Sequence, residues 1–319
     1  MKIGYALSSE EFGPKDLVAN AKRAEEAGFA FAGISDHFHP WLDSQGHSPM
    51  VWSVLGALAV TTDRMPFFTG VTCPMIRTHP AIVAHAAATT AAMMPGRFIL
   101  GLGTGEALNE HILADRWPAA PERREMLEEA IEVIQMLWEG GSQSHRGTHY
   151  RLENARLYTL PDEAPPIYVA ASGPATAELA GRIADGLITT SPDAEVVEAF
   201  RKGGGEGKPV VAQMTVAYDE DEARARRTAH RIWANAGVPG QLSQDLPTPK
   251  HFEQASERVT EDDIAEAMPC GPDLDRHLEL IAEHEKLGID QVYVHQISPD
   301  QGPFFEIYEK EVLPRFAGS

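Results

Sequence analysis

Cysteine is almost missing. The 319 residues contain two, Cys73 and Cys270. That count excludes a disulfide scaffold and any cysteine-rich metal spacing, and it fits a reducing compartment, so a cytoplasmic location is expected. Positive charge is scarce as well. Lys and Arg number 27 against 47 Asp and Glu, a formal net charge of −20, which argues against nucleic acid and anionic membrane surfaces as partners. A polyanionic ligand would need local donors. No apolar run is long enough to span a bilayer, and the opening Met1-Lys2-Ile3-Gly4-Tyr5 lacks the apolar core of a signal peptide. There is no P-loop. Gly101-Leu102-Gly103-Thr104-Gly105 fails the dinucleotide fingerprint, because Glu106 stands where its third glycine should fall.

Hydrophobic residues make up 43% of the chain and charged residues 23%, the balance of a globular protein. Apolar runs recur over residues 3–7, 29–34, 67–72, 98–102, 167–171, 186–189, 210–216 and 291–295. Helical patterns separate them, notably at 14–27, 80–94 and 121–138, each opened by proline, a favoured first-turn residue. Strand and helix in alternation predict a parallel sheet, and eight strands at this length predict a (β/α)8 TIM barrel. We expect one domain over 1–319. Loop insertions are predicted after strands 4 and 7, at 140–165 and 237–261, the second an irregular proline-bearing stretch read as a substrate lid.

A barrel places its chemistry at the C-terminal ends of the strands. Ser35-Asp36-His37-Phe38-His39-Pro40-Trp41 follows the second strand and supplies an acid, two histidines and an indole, the materials of a catalytic pocket. Cys73 follows the third strand, Thr104, Glu106 and Asn109 the fourth, Ser172 and Gly173 the fifth, and His295 with Gln296 closes the eighth. Each has a plainer reading. His37 and His39 have the spacing of a metal pair, but strands four to six end without histidine, so the ligand count falls short. His37 is either a base or a histidine pinned by Asp36, and His39 is read as a solvated loop residue. The glycines from 101 to 105 are taken to let a flat ligand approach the backbone. Glu106 is either catalytic or a helix-start carboxylate. At Ser172-Gly173-Pro174-Ala175-Thr176, the N–H groups of Gly173, Ala175 and Thr176 make an anion site, or the segment is a turn capped by Ser172. Trp52, Trp138 and Trp233 are read as packing.

These blocks carry a resemblance. Glu10-Glu11-Phe12-Gly13-Pro14, Ser35 to Trp41, Gly46-His47, Gly103 to Glu110 and Ala170 to Thr176 together resemble the luciferase-like barrel oxidoreductases, in particular the branch of glucose-6-phosphate dehydrogenases that use the deazaflavin coenzyme F420. The resemblance implies that Asp36 contacts the deazaflavin and that His37 is the base for a substrate hydroxyl. It implies that Trp41 shapes the transition-state surroundings, that Glu106 donates a proton to the ring and that Asn109 binds cofactor. It further implies a cis peptide at Gly70-Val71, with Cys73 nearby in the cofactor site. Ser172, Gly173, Ala175 and Thr176 would hold the cofactor phosphate, and the protein would be a homodimer. One region departs. Where the family grips a sugar phosphate with basic residues, this chain has Asp193, Ser243, Gln244, Ala267 and Met268, with Lys250 and Arg201 nearby in sequence. The expected activity is F420-dependent hydride transfer with a small-molecule alcohol or carbonyl other than glucose-6-phosphate. The alternatives are an FMN-dependent monooxygenase and a non-catalytic deazaflavin-binding protein.

Overall fold

Short apolar strands alternating with helices close on themselves here. The computed structural model describes residues 1–190, 192–238 and 240–316. Eight strands form a closed barrel: β1 (Lys2–Leu7), β2 (Ala32–Ile34), β3 (Phe67–Thr69), β4 (Phe98–Leu102), β5 (Ile167–Ala170), β6 (Gly186–Thr189), β7 (Val210–Val216) and β8 (Gln291–Gln296). Neighbours follow chain order, all parallel, and β8 closes on β1 from Lys2–Gln291 to Tyr5–Val294. The (β/α)8 expectation therefore holds. β3 is shorter than the predicted 67–72. Its ladder stops before the cis peptide Gly70–Val71 and resumes as a single bridge between Thr72 and Leu102.

The helices are α1 (Pro14–Ala27), α2 (Val51–Thr61), α3 (Pro80–Met93), α4 (Ala107–Glu110), α5 (Ala120–Trp138), α6 (Pro174–Ile183), α7 (Ala194–Phe200), α8 (Glu222–Trp233), α9 (Leu242–Asp245), α10 (Pro249–Ser256), α11 (Glu261–Ala267), α12 (Leu274–Lys286) and α13 (Gly302–Ile307). Alanines and leucines on their inner faces, such as Leu17, Ala21 and Ala24 of α1, join the core between helices and barrel. Ala6, Phe31, Phe68, Tyr168, Ile188, Val211 and Tyr293 fill a second core.

Both predicted insertions are present. The first carries an antiparallel hairpin, Gln143–Arg146 with Arg151–Ala155. The second is more regular than expected: α9 and α10 lie inside 237–261. Pro249 opens α10 at its first turn, where the ring's fixed φ and missing N–H suit a helix. Read as a breaker, that proline hides the helix it starts.

Candidate active site at the strand ends

Two consecutive strands build the central pair. Leu7 pairs with Ile34 across β1 and β2, and three residues beyond each come Glu10 and His37. Glu10 Oε1 lies 3.2 Å from His37 Nδ1, and the same nitrogen sits 3.3 Å from the His39 carbonyl oxygen. Both neighbours are acceptors, so Nδ1 carries the ring proton and Nε2 holds the basic lone pair. Glu10 is fixed in turn. Its Oε2 accepts from Ser8 Oγ at 3.0 Å and from Ser35 Oγ at 2.7 Å. Burial alone would raise the Glu10 carboxyl, but the adjacent His37 and the Ser35 hydroxyl outweigh it and hold the group below the ordinary carboxylate value. Trp41 stands edge-on to the His37 ring at 5.0 Å and is itself braced by Phe252, also at 5.0 Å.

Asp36 does not orient His37, contrary to one expectation. Its Oδ2 accepts from Thr72 Oγ1 at 2.7 Å and its Oδ1 lies 3.1 Å from Arg77 Nη2. Arg77 also reaches Glu110, through its backbone N–H at 2.7 Å and Nε at 3.4 Å. Burial raises the Glu110 carboxyl against the opposing pull of Arg77, and this one cation faces two buried acids. Neither Arg77 nor Glu10 was expected as a partner here. The signal for Glu10 was strand register. For Arg77 it was the need of buried Asp36 for a cation, with a single arginine between the third strand and α3.

The segment after β4 completes this side. Gly105 has φ +69°, and a Cβ there would meet Cys73 Sγ at 2.6 Å; at Gly103 it would meet Val71 Cγ2 at 2.6 Å. These two glycines therefore make room for the chain leaving β3. Cys73 is buried. Burial pushes its thiol well up, and the nearby Glu110 and Glu106 charges add to the shift. Asn109 is buried, and its Oδ1 accepts from the backbone N–H groups of Phe38 and His39 at 2.8 and 3.2 Å. Its Nδ2 reaches Glu106 Oε2 at 3.4 Å. Glu106 is the residue before α4, yet its side chain makes no cap hydrogen bond. His39 is half-buried, with Nδ1 3.0 Å from the Leu108 carbonyl, instead of being a freely solvated loop residue.

Beyond β5, Gly173 is the residue before α6, and no side chain caps the helix. Ser172 is thus not the cap that one reading expected. Its Oγ accepts from Gln244 Nε2 at 3.4 Å instead. Ala175 is exposed and Thr176 half-buried. A second buried carboxylate–imidazole pair lies beside the first: Glu11 Oε1 is 3.4 Å from His295 Nε2, under the edge of Trp233 at 4.6 Å. Burial raises the Glu11 carboxyl.

The region of missing basic anchors is also placed. Asp193 caps α7 by accepting from Glu195 N–H at 2.8 Å. Ser243 donates to the Gly240 carbonyl, Ala267 is exposed and Met268 buried. Arg201 binds the carbonyls of Gly205 and Lys208 and pairs with Asp290. Those residues lead into β7 and β8, at the barrel end opposite the candidate site. Lys250 is exposed on α10. Among the described residues, no group of His, Cys, Asp and Glu could hold a metal ion, and no helix is long and apolar enough to cross a membrane.

The family model described as luciferase-like monooxygenase matches residues 1–294. An F420-dependent glucose-6-phosphate dehydrogenase of Microbacterium testaceum is 37% identical over 99% of this chain and 97% of its own length. That of Mycobacterium tuberculosis is 33% identical over 99% of this chain and 98% of its own. A solved F420-dependent secondary alcohol dehydrogenase, in complex with an F420-acetone adduct, superposes with a TM-score of 0.90 at 31% identity, over 98% of both chains.

Proposed function

The chain belongs to the luciferase-like monooxygenase family and is an F420-dependent oxidoreductase within it; we propose that it moves a hydride between F420 and the carbinol carbon of a small, uncharged alcohol or the matching carbonyl. The observation that carries this reading is the His37–Glu10 pair, with Nδ1 committed to two acceptors and Nε2 left basic at a strand end.

The residues present fit the cofactor. The first turn of α6 offers backbone N–H groups that no side chain caps, as a phosphate requires. Asp36 is held by Thr72 and Arg77 in one orientation, suited to a fixed contact with the ring. Bound F420 supplies the carbon that accepts or gives the hydride. His37 Nε2 takes the proton of the substrate hydroxyl as the hydride leaves. The imidazolium so formed faces the Glu10 carboxylate. Trp41 walls that exchange from water. Glu106, held by a long bond from Asn109, would hold a proton on the side of the site where the cofactor binds. In the reductive direction the same groups act in reverse.

The substrate class rests on the missing phosphate grip. Each charged hydrogen bond that a sugar phosphate loses costs about 1.5–3 kcal/mol. Arg201 cannot replace the anchors from the far end of the barrel. One solved relative is in complex with an F420-acetone adduct, a precedent for an uncharged carbonyl.

A fluorescence titration tests the cofactor. F420 should saturate the protein, and saturation by FMN with no response to F420 would overturn the assignment. Absorbance assays with secondary alcohols and with glucose-6-phosphate test the rest. Alcohol turnover with little sugar-phosphate turnover is expected. Efficient use of glucose-6-phosphate contradicts the substrate class, and binding without any turnover leaves a storage protein.

A further inference from the structure

Above the inner core of the barrel, two neighbouring strands turn polar. Val210, Ala212, Met214 and Val216 of β7 join the core beneath the helices, whereas Val211 joins the core inside the barrel. Successive side chains point to opposite faces of a strand, so Gln213 and Thr215 face inward with Val211. Tyr293 of β8 lies in the same inner core, which turns His295 inward too. Across the ladder, Gln213 stands opposite Tyr293 and Thr215 opposite His295. The barrel's order sets β7 and β8 across from β3 and β4, the strands that lead to Cys73, Glu106 and Asn109 on the cofactor side. Glu10 and His37, beyond the ends of β1 and β2, lie between these two walls.

The groups on the β7–β8 wall have unused hydrogen-bonding capacity. Gln213 Nε2 donates to Thr215 Oγ1 at 3.3 Å. That leaves the glutamine's carbonyl oxygen and the threonine's hydroxyl proton, and both residues are only half-buried. Beside them, the Glu11 and His295 side chains are each 5% exposed, with their facing atoms 3.4 Å apart. None of that pair's four polar side-chain atoms makes a hydrogen bond among the described residues. Buried polar atoms ordinarily have partners, and unpaired ones call for an explanation. Neither β7 nor β8 carries a lysine or arginine. With the acid Glu11 beside it, this wall suits a neutral ligand rather than an anion.

We propose that Gln213 and Thr215, backed by the Glu11–His295 pair, bind a second hydroxyl of the substrate while His37 takes the proton of the first. The inference rests on the hydride-transfer reading above and narrows its substrate class to an uncharged polyol or sugar. A hydroxyl both donates and accepts. It accepts from the Thr215 hydroxyl and donates to the Gln213 carbonyl, so one group satisfies both. The Glu11 carboxyl and the His295 imidazole offer the same pairing of acceptor and donor to the next hydroxyl along. A monohydric alcohol leaves all of these groups unpaired, and a site built to hydrogen-bond a hydroxyl discriminates against a ligand that lacks it.

Cyclohexanol and myo-inositol test the subsite, because they share one ring and the second carries a hydroxyl at every carbon, so every spacing is sampled. Saturation-transfer NMR on the whole protein without F420 gives both dissociation constants free of turnover. The parent should prefer inositol by at least about tenfold. Thr215→Val keeps the side chain's shape and removes its hydroxyl, and it should bring the preference close to one. Thr215→Ser restores the hydroxyl and should restore the preference. No preference in the parent, or one that Thr215→Val leaves intact, overturns the proposal. So does an equal loss in Thr215→Val and Thr215→Ser, which would place the effect in packing. Absorbance assays with F420 then separate the two readings. Thr215-dependent inositol binding with no alcohol oxidised keeps the subsite and removes the hydride reading. Oxidation of cyclohexanol with no preference for inositol keeps the hydride reading and removes the subsite.

Discussion

Replacing Glu10 by glutamine removes one charge while nearly keeping the shape of the His37 pair. In the parent, two serine hydroxyls fix the carboxylate, and Oε1 faces His37 Nδ1 at 3.2 Å. A neutral imidazole gains little from that charge. The imidazolium that forms as His37 takes the proton gains a charge-assisted bond, so the loss falls on the reacting state rather than on binding. Such a bond contributes about 1.5–3 kcal/mol, which at about 1.36 kcal/mol per decade slows the step about 10- to 150-fold. Stopped-flow absorbance of the deazaflavin measures the rate, and its titration gives the dissociation constant, which should stay near the parent's. The pH dependence has a sign. Glu10 is held below the ordinary carboxylate value, so its contribution is complete at neutral pH and is lost as pH falls through the lowered value. The gap between parent and Glu10→Gln should therefore be constant around neutrality and narrow in acid. Rates within twofold of each other at neutral pH would refute this role.

Arg77→Met leaves Asp36 and Glu110 buried without their shared cation, and urea denaturation should show a loss of about 3–5 kcal/mol; a loss under 1 kcal/mol would mean that the two acids are neutral in the fold. His277 is fully buried against Tyr308, and burial lowers its pKa to about 4. The unfolded chain binds that proton near pH 6.5, so the stability is complete above that value and falls as pH drops toward 4. Between pH 7.5 and 5 the loss works out at about 2 kcal/mol. His277→Gln should remove that component from the slope of stability with pH, and an unchanged slope places the acid sensitivity elsewhere.

The strand runs and the helix-opening prolines were legible because periodicity and first-turn chemistry are local. So were His37 and Trp41, since a polar cluster after an apolar strand is a local signal. Glu10 was half legible. It lies 27 residues from His37 in sequence, but β1 and β2 are consecutive neighbours, and the Leu7–Ile34 register brings the two loops together. Arg77 was harder, because a long side chain reaches two acids from a loop whose path no pattern predicts. The hydrogen bond from Arg123 Nη2 to Gln244 Oε1 joins residues 121 apart and depends on how α9 docks, which no local pattern states. The close neighbours of the glycines after β4, Val71 and Cys73, come from another strand, so no local pattern shows them. Local pattern named the materials of the site, and tertiary pairing chose the partners.

The central claim is that His37 is the base. The most direct measurement is the pre-steady-state hydride-transfer rate of His37→Ala beside its F420 dissociation constant. The rate should fall by about 10²–10⁴, the usual worth of a positioned acid–base group, while the dissociation constant stays within about twofold of the parent's. A variant that transfers hydride at the parent's rate would contradict the claim, and so would one whose slower transfer is fully accounted for by weakened cofactor binding.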